Sequence, residues 1–424
     1  MFLFRLSLNK FISFAAEING MQKTFTLFLS LLTLATSASA QQVLSAEDSL
    51  TRNLSHSSTT IGGYGDAFYQ NNSHLLSAKV NLERGVIFIG HQFTDKISVF
   101  SELELENAKV ATGNTAGEIS FEQLYLKFNL NANQYLVAGL FTPRIGIINE
   151  NHLPNTFNGN ERNYVETLVI PATWREIGVG FYGNLNRVPL TYSIGLVNGL
   201  NSGGFTHGTG LVNGQFEGSN ASANNLAITA ALQYFYKDFK FQVSGYYGGS
   251  SSVSRRKADS LGLNSGIFGT PVAVGEADIQ WAAKGFQLRA LGTIVSIPDA
   301  DQINRAYANN TPQTMYGAYV ELGYDLLYRK NQPQKQQLVA FVRDERFNLN
   351  AEIPANGFTD GTLNDNDVVA GFTYLPVRNV AIKADVRFIH TGAQNPSLIV
   401  NPNPVALPYQ TDYNLVNVGV AFSF

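Results

Sequence analysis

The sequence predicts an all-β membrane protein, a transmembrane antiparallel β-barrel of sixteen strands. Three observations support this prediction: stretches that alternate apolar and polar residues with a period of two, a charged fraction of only 14% and an aromatic fraction of 12%. Soluble domains usually carry about 25% charged residues, so much of this surface faces something other than water. Beyond one segment near the N-terminus, no apolar run approaches the roughly 20 residues of a membrane-spanning helix.

Sixteen stretches carry the alternation that is typical of strands. In one of them, Val380, Ile382 and Phe388 share a face, whereas Lys383 and Asp385 lie on the other. Most of the stretches exceed the about 9 to 11 residues that a tilted strand needs to cross a bilayer. The predicted strands are 59–70, 75–93, 97–110, 117–130, 134–144, 172–185, 189–200, 225–236, 239–250, 270–283, 286–297, 313–329, 335–349, 365–375, 380–390 and 412–424.

Short and long connections alternate between these strands, as expected of a barrel whose two ends lie on the periplasmic side of the outer membrane. The longest connection, at 145–171, is the third of the predicted outer loops. Fourteen or eighteen strands remain open as alternatives, because boundaries predicted from sequence err by about two to four residues. Whatever the number, the sheet must close, since an open edge would leave backbone groups unpaired in lipid.

Residues 1–40 are predicted to be a secretory signal peptide that is removed from the mature protein. A short basic region around Lys23 precedes the apolar run 25–36, and Ala-Ser-Ala at 38–40 is a small-residue cleavage site. We expect translation to start at Met21, where this pattern begins. Residues 41–58 then form a short periplasmic segment, and 59–424 form the barrel in the outer membrane.

Three segments of the chain resemble a known family of channels. They are GLFTPRIG at 139–146, NENHLPN at 149–155 and VETLVIPATWREIG at 165–178. They are similar to general porins of Gram-negative outer membranes, and most similar to the phosphate-selective porin O and P family. The resemblance is specific over about residues 139–183 and architectural elsewhere.

This resemblance implies passive diffusion of small hydrophilic solutes or ions through a water-filled channel. It also implies a homotrimer surrounded by outer-membrane lipid and lipopolysaccharide, with a third outer loop that folds into the lumen as a constriction. In this chain that loop is 145–171. The terminal Phe424 resembles the signal that the barrel assembly machinery reads.

Charged side chains at the constriction are the first group of candidate pore residues. Opposed charges across a narrow, water-filled gap favour small polar solutes, and the same charges can instead pair to pin the loop to the wall. We expect both effects, which are compatible. The candidates are Arg144, Glu150, Glu161, Arg162, Glu166, Arg175 and Glu176.

Charged positions on the inward faces of the strands are the second group. Acidic positions outnumber basic ones there, so the ladder of Arg and Lys that phosphate selection needs is not evident, and we expect weak cation preference or none. The lumen-lining candidates are Lys127, Arg289, Arg343, Lys383, Asp385 and Arg387. Glu102, Glu104, Glu276, Asp278, Glu321 and Glu345 are among the further acidic positions on the predicted inward faces.

Nothing in the sequence points to catalysis, a cofactor or a metal ion. The chain has no cysteine, and its six histidines lack the spacing of metal ligands. With 29 basic and 32 acidic residues, the chain offers no positive field for nucleic acid. The chain is therefore predicted not to be an enzyme. Two alternatives to a porin stay open, a barrel hydrolase and a surface adhesin that acts through the outer loops.

Overall fold

The computed structural model describes residues 58–108, 117–185, 187–330, 336–398 and 409–424. The predicted signal peptide and almost all of the predicted periplasmic segment lie outside these residues. The described chain forms a closed antiparallel β-barrel of sixteen strands. The predicted fold class and strand number are therefore confirmed.

The strand boundaries agree with the predicted ones to within about four residues. The strands are β1 (Thr59–Asn72), β2 (Ser77–Thr94), β3 (Ile97–Glu106), β4 (Ile119–Asn131), β5 (Gln134–Phe141), β6 (Glu176–Asn184), β7 (Leu190–Asn198), β8 (Leu226–Tyr236), β9 (Phe239–Gly249), β10 (Pro271–Ala283), β11 (Phe286–Ser296), β12 (Thr314–Asp325), β13 (Gln337–Glu352), β14 (Asn364–Val377), β15 (Val380–Thr391) and β16 (Asp412–Ser423).

Each strand pairs with its neighbours in sequence, and β1 closes the barrel against β16. In this closing pair Tyr64 lies opposite Ser423. The C-terminal Phe424 extends the pairing, because its backbone exchanges hydrogen bonds of 2.9 and 3.0 Å with Gly63. Among the sixteen described strands no edge is left open, which satisfies the requirement that backbone groups pair within the sheet when lipid surrounds it.

The helices are short and lie in the connections. They are α1 (Ile147–Glu150), α2 (Arg255–Leu261) and α3 (Ala300–Tyr307), together with a π-helical turn at Val165–Val169. Within the described residues, four 3₁₀ turns lie at Ser202–Gly204, Val212–Gly214, Gly361–Leu363 and Pro396–Leu398. Within the described part of the chain, no helix is long and apolar enough to span a membrane.

The outward face of the barrel is apolar and carries aromatic residues beside the short turns. On β12, Val320 and Leu322 are exposed, whereas the intervening Glu321 is buried on the inward side. Near the turns, Trp281 stacks with Phe286 at 6.5 Å between ring centroids, and Phe286 contacts Tyr324 at 4.5 Å. An apolar band that ends in aromatic rings is the surface expected where a barrel meets the membrane interface.

The inward face and the long connections together form a buried interior. Apolar residues of the connection between β5 and β6, such as Val165 and Trp174, belong to one buried cluster with Leu200, Phe205 and Ile303 from other long connections. The long connections thus pack over the connection between β5 and β6, which lies inside the barrel.

Candidate functional site: the third loop inside the barrel

The third loop comprises residues 142–175, between β5 and β6, and its two ends are tied together. The side-chain amide of Asn149 donates to the carbonyl oxygens of Ile145 and Pro171, both at 2.9 Å. The oxygen of the same side chain accepts the backbone N–H of Trp174 at 2.9 Å. One asparagine therefore fixes both the entry and the exit of the loop.

Glu166 holds the middle of the third loop in place. Its carboxylate accepts hydrogen bonds from the Ile148 backbone at 2.8 Å, from Asn163 at 2.9 Å and from the Tyr319 hydroxyl of β12 at 2.8 Å. Gly146 approaches this carboxylate with φ of 85°, and a Cβ there would lie 2.6 Å from it. Glycine is therefore required at this position both by its conformation and by space.

Three cations on β13 and β15 hold the far side of the loop, and we call Arg343, Lys383 and Arg387 the basic wall. Lys383 donates to the carbonyl oxygens of Pro154 and Gly159 at 2.5 and 2.8 Å. The three cations are almost completely buried. These cations contact three kinds of group in the loop: backbone carbonyl oxygens, aromatic rings and a carboxylate.

Carboxylates surround both guanidinium groups of the basic wall. Arg343 contacts Glu321 at 3.0 Å and Glu345 at 2.6 Å. Arg387 contacts Asp367 at 2.7 Å and Glu345 at 3.3 Å. Each buried guanidinium thus has at least two anionic partners, as a buried cation requires.

The loop also contributes directly to this network. Glu161 lies 3.7 Å from Arg387, and the ring of Tyr164 lies under the same guanidinium at 3.6 Å. The Tyr164 backbone N–H donates to Glu345 at 2.6 Å. Asp385 lies on β15, two residues before Arg387. It accepts hydrogen bonds from the side-chain amide and the backbone N–H of Asn160, at 2.7 and 2.8 Å.

Further around the lumen, β3 and β4 present three carboxylates, and we call Glu102, Glu104 and Glu122 the acidic wall. All three are buried, with exposed fractions of 3% or less. The loop meets them with His152, whose Nε2 lies 3.3 Å from Glu102 and 3.6 Å from Glu122.

Further contacts extend around the barrel. Glu150 forms an ion pair with Lys240 of β9 and accepts a hydrogen bond from Gln233 of β8 at 2.8 Å. Arg289 of β11 donates to the carbonyl oxygen of Thr156 at 2.6 Å. With Gln70 of β1 bonded to Glu161, the third loop contacts strands on every side of the lumen.

The predicted constriction residues all lie at or near this loop, in different surroundings. Arg175 pairs with Glu217 at 2.7 Å, and Glu176 accepts the Trp174 indole N–H at 2.8 Å. Arg162 lies within 3.5 Å of the His152 carbonyl oxygen. Arg144 instead lies over the Tyr182 ring at 5.0 Å. The observed contacts thus join these residues to the wall, to another long connection and to the third loop itself, and solute selection by them stays a prediction.

Five of the predicted lumen-lining residues contact the third loop as described above: Arg289, Arg343, Lys383, Asp385 and Arg387. The sixth, Lys127, lies over the ring of Tyr135, at 4.0 Å. That tyrosine stacks on Tyr182 at 4.9 Å. Lys127 and Arg144 therefore share this aromatic pair.

Sequence reasoning missed three residues of the site. Glu122 was not predicted to face inward, because a β-bulge interrupts the alternation where Glu102 pairs with Gln123 and Leu103 pairs with Phe121. The spacing of the six histidines does not single out His152, yet it is buried against two carboxylates. Lys240 was missed as the partner of Glu150, although it alternates with the exposed Phe241 on β9.

A small cavity lies between the third loop and the wall beside Arg343. A cavity of about 10 Å³, which is room for roughly one water molecule, lies between the loop residues Ile148 and Asn163 and the wall residues Arg289 and Arg343. Arg387 and Glu345 are only 1% and 0% exposed. In this conformation the third loop therefore covers the basic wall.

Comparison with known proteins supports the fold. No protein-family model matches the chain. An uncharacterized protein of Aquifex aeolicus (strain VF5) is 29% identical over 338 residues, which are 77% of this chain and 74% of that protein.

Two solved structures show the same architecture at low sequence identity. OmpF of Salmonella typhi, in a complex with daunomycin, has a TM-score of 0.52 and 14% identity, covering 87% of this chain and 98% of that one. The anion-selective porin of Comamonas acidovorans has a TM-score of 0.50 and 11% identity, covering 87% and 100%. The fold is thus that of the sixteen-stranded outer-membrane porins. Membership of the phosphate-selective porin O and P family stays a prediction.

Proposed function

We propose that the protein is an outer-membrane channel through which small hydrophilic solutes and ions diffuse passively, with the third loop as its constriction. The observation that carries this proposal is the contrast between the two faces of the barrel wall. The outward face is apolar and bears aromatic residues at its rim, whereas the inward face bears buried and partly buried charges. A wall of this kind separates lipid from a polar lumen.

The packing of the third loop supports a narrow channel. The loop contacts both the basic wall and the acidic wall, so solutes must pass between its side chains and the wall or displace part of it. We therefore expect small conductance steps and a low size limit. Acidic side chains exceed basic ones on the inward face, and we expect weak cation preference or none.

Planar-bilayer recording of the purified protein tests this function. Stepwise conductance is expected, and its reversal potential in a salt gradient reports the ion preference. A protein that is folded and inserted but gives no steps would overturn the proposal, and clear anion selectivity would contradict the expected ion preference. Replacing Arg162 and Arg175 by alanine should change the conductance, whereas Arg346→Ala, on the exposed face of β13, should leave it unchanged.

The cellular setting belongs to the same proposal. We propose export through the predicted signal peptide, recognition of Phe424 by the barrel assembly machinery and insertion as a homotrimer beside lipopolysaccharide. The exposed C-terminal ring, 68% accessible, supports its recognition by another protein. Cross-linking of the purified protein in mild detergent tests the trimer, and a single monomeric species there would contradict it.

A further inference from the structure

Two carboxylates of the acidic wall and one histidine of the third loop converge on one point. His152 Nε2 and one oxygen each of Glu102 and Glu122 all lie within 4.8 Å of one another. The distances from Nε2 to the two carboxylates are 3.3 and 3.6 Å. Ligands bound tetrahedrally to Zn²⁺ at about 2.0 Å are separated by about 3.3 Å, so the two separations from the imidazole are already near the spacing that a metal ion imposes.

The backbone is shaped to bring Glu122 into this cluster. A β-bulge between β3 and β4 lets Glu122 and Gln123, two consecutive residues, both face the interior. In an uninterrupted strand one of them would face lipid. Bulges commonly re-aim a side chain next to a functional site. The third ligand comes from a separate segment, the third loop, so the cluster joins the loop to the wall.

Neighbouring side chains orient both carboxylates. The Tyr64 hydroxyl donates to Glu122 at 2.7 Å, and the Gln123 amide donates to Glu102 at 2.8 Å. Such outer contacts are typical of metal sites, where they fix the direction of the ligating oxygen. The other oxygen of Glu122 is buried and has no hydrogen-bond partner among the described residues, and the same holds for one oxygen of Glu104.

The charge within the cluster suits a divalent cation. Of the guanidinium groups nearby, Arg84 contacts Asp66 at 3.1 Å, and Arg175 contacts Glu217 at 2.7 Å and Glu104 at 3.9 Å. The cluster itself places two carboxylates beside one imidazole. Because an imidazole that binds a metal ion is neutral, one divalent ion matches the charge of the two carboxylates.

We propose that Glu102, Glu122 and His152 bind a divalent transition-metal ion, which cross-links the third loop to β3 and β4. An imidazole beside two carboxylates favours Zn²⁺ and its first-row neighbours, whereas Ca²⁺ and Mg²⁺ prefer oxygen ligands alone. The three side chains leave a further coordination position for water. The proposed metal site does not depend on the proposed channel function, because metal binding is measured directly on the folded barrel.

Zn²⁺ binding to the full-length, untagged protein, refolded in detergent and treated with a chelator, tests the proposal. We expect one Zn²⁺ per chain in a competition titration with a chromophoric chelator. X-ray absorption at the zinc edge should show one imidazole and carboxylate oxygens. The wild-type protein alone decides the question: no stoichiometric binding, or a coordination shell without imidazole, overturns the site.

Variants locate the ion. His152→Gln and Glu122→Gln should abolish stoichiometric binding, and Tyr64→Phe, which removes one outer hydrogen bond, should weaken it by about 10-fold. His390→Gln and Glu276→Gln are matched controls, because they remove a histidine and a buried inward-facing carboxylate elsewhere in the barrel. Binding that survives in folded His152→Gln, or is lost in both controls, overturns the assignment.

Discussion

The basic wall and the acidic wall hold the same loop by opposite means. On β13 and β15, buried guanidinium groups contact several carboxylates and receive the loop as a further partner. On β3 and β4, three carboxylates crowd together, and the loop brings one histidine to them. The first contact consists of ion pairs and hydrogen bonds within the protein, whereas the second places one imidazole beside two carboxylates, a set of groups that suits a metal ion. The chemistry of the contacting groups, rather than the number of ion pairs, therefore separates a fixed anchor from one that responds to a ligand.

The largest expected effect comes from breaking the basic wall. Arg387→Met removes the counter-charge of Asp367 and Glu345 and leaves both carboxylates buried. Loss of one partner from a buried ion pair costs about 3 to 5 kcal/mol, so we expect a decrease of this size in the free energy of unfolding, measured with urea in lipid vesicles. The third loop should also loosen, which should enlarge the conductance steps.

Arg346→Met on the same strand is the control for this variant. Arg346 pairs with Asp344 at 3.0 Å, but both side chains are more than half exposed. Exposed pairs contribute about 0 to 1 kcal/mol. Equal destabilisation of the two variants would show that burial in the lumen does not set the strength of the anchor.

The acidic wall should respond to added metal. Without metal, Glu122→Gln removes the buried carboxylate that His152 and the Tyr64 hydroxyl contact, so the free energy of unfolding should fall by about 1 to 3 kcal/mol, the cost of disturbing a buried polar contact. With Zn²⁺ at about 100 times its dissociation constant, the wild-type protein should gain about 2.7 kcal/mol. The variant should not gain this stability.

Glu276→Gln provides the comparison for that response. Glu276 is also buried and inward-facing, and its carboxylate accepts a hydrogen bond from Ser244. This variant should keep the full gain from Zn²⁺. If Glu276→Gln loses the gain as Glu122→Gln does, the stabilisation does not come from the acidic wall.

The sequence predicted the wall of this barrel much better than its interior. Alternation along a strand is a local pattern, so all sixteen strands and the inward position of residues such as Arg343 could be predicted. The role of the third loop followed from its length and its resemblance to porins. Which wall residues it meets depends on contacts between positions far apart in the chain, such as Lys383 with Gly159.

The bulge in β4 shows why the acidic wall was predicted only in part. Regular alternation along β4 would place Glu122 and Gln123 on opposite faces of the sheet. The extra residue of the bulge shifts the alternation, so both of them face inward. His152 was missed for a related reason. A histidine in a long loop has no periodic pattern that shows whether it is buried, and only the folded loop places it between Glu102 and Glu122.

The smallest expected effect concerns an ion pair outside the barrel wall, between His207 and Asp360 in two long connections. Their side chains are 2.9 Å apart. Burial raises the pKa of Asp360, but hydrogen bonds from His207 and Thr362 outweigh it and leave this pKa below its ordinary value. A lowered pKa stabilises the folded state above the unfolded value of about 4. That contribution is lost as the pH falls through the lower folded value.

Comparing Asp360→Asn with the wild-type protein tests this pair. Their free energies of unfolding should differ by less than about 1 kcal/mol at neutral pH, as for other solvent-accessible pairs, and the difference should close below about pH 4. A double-mutant cycle with His207→Gln isolates the pair from the other contacts of each residue. A difference as large as that of Arg387→Met would contradict the central comparison, because a pair near solvent would then anchor its loop as strongly as a pair buried in the lumen.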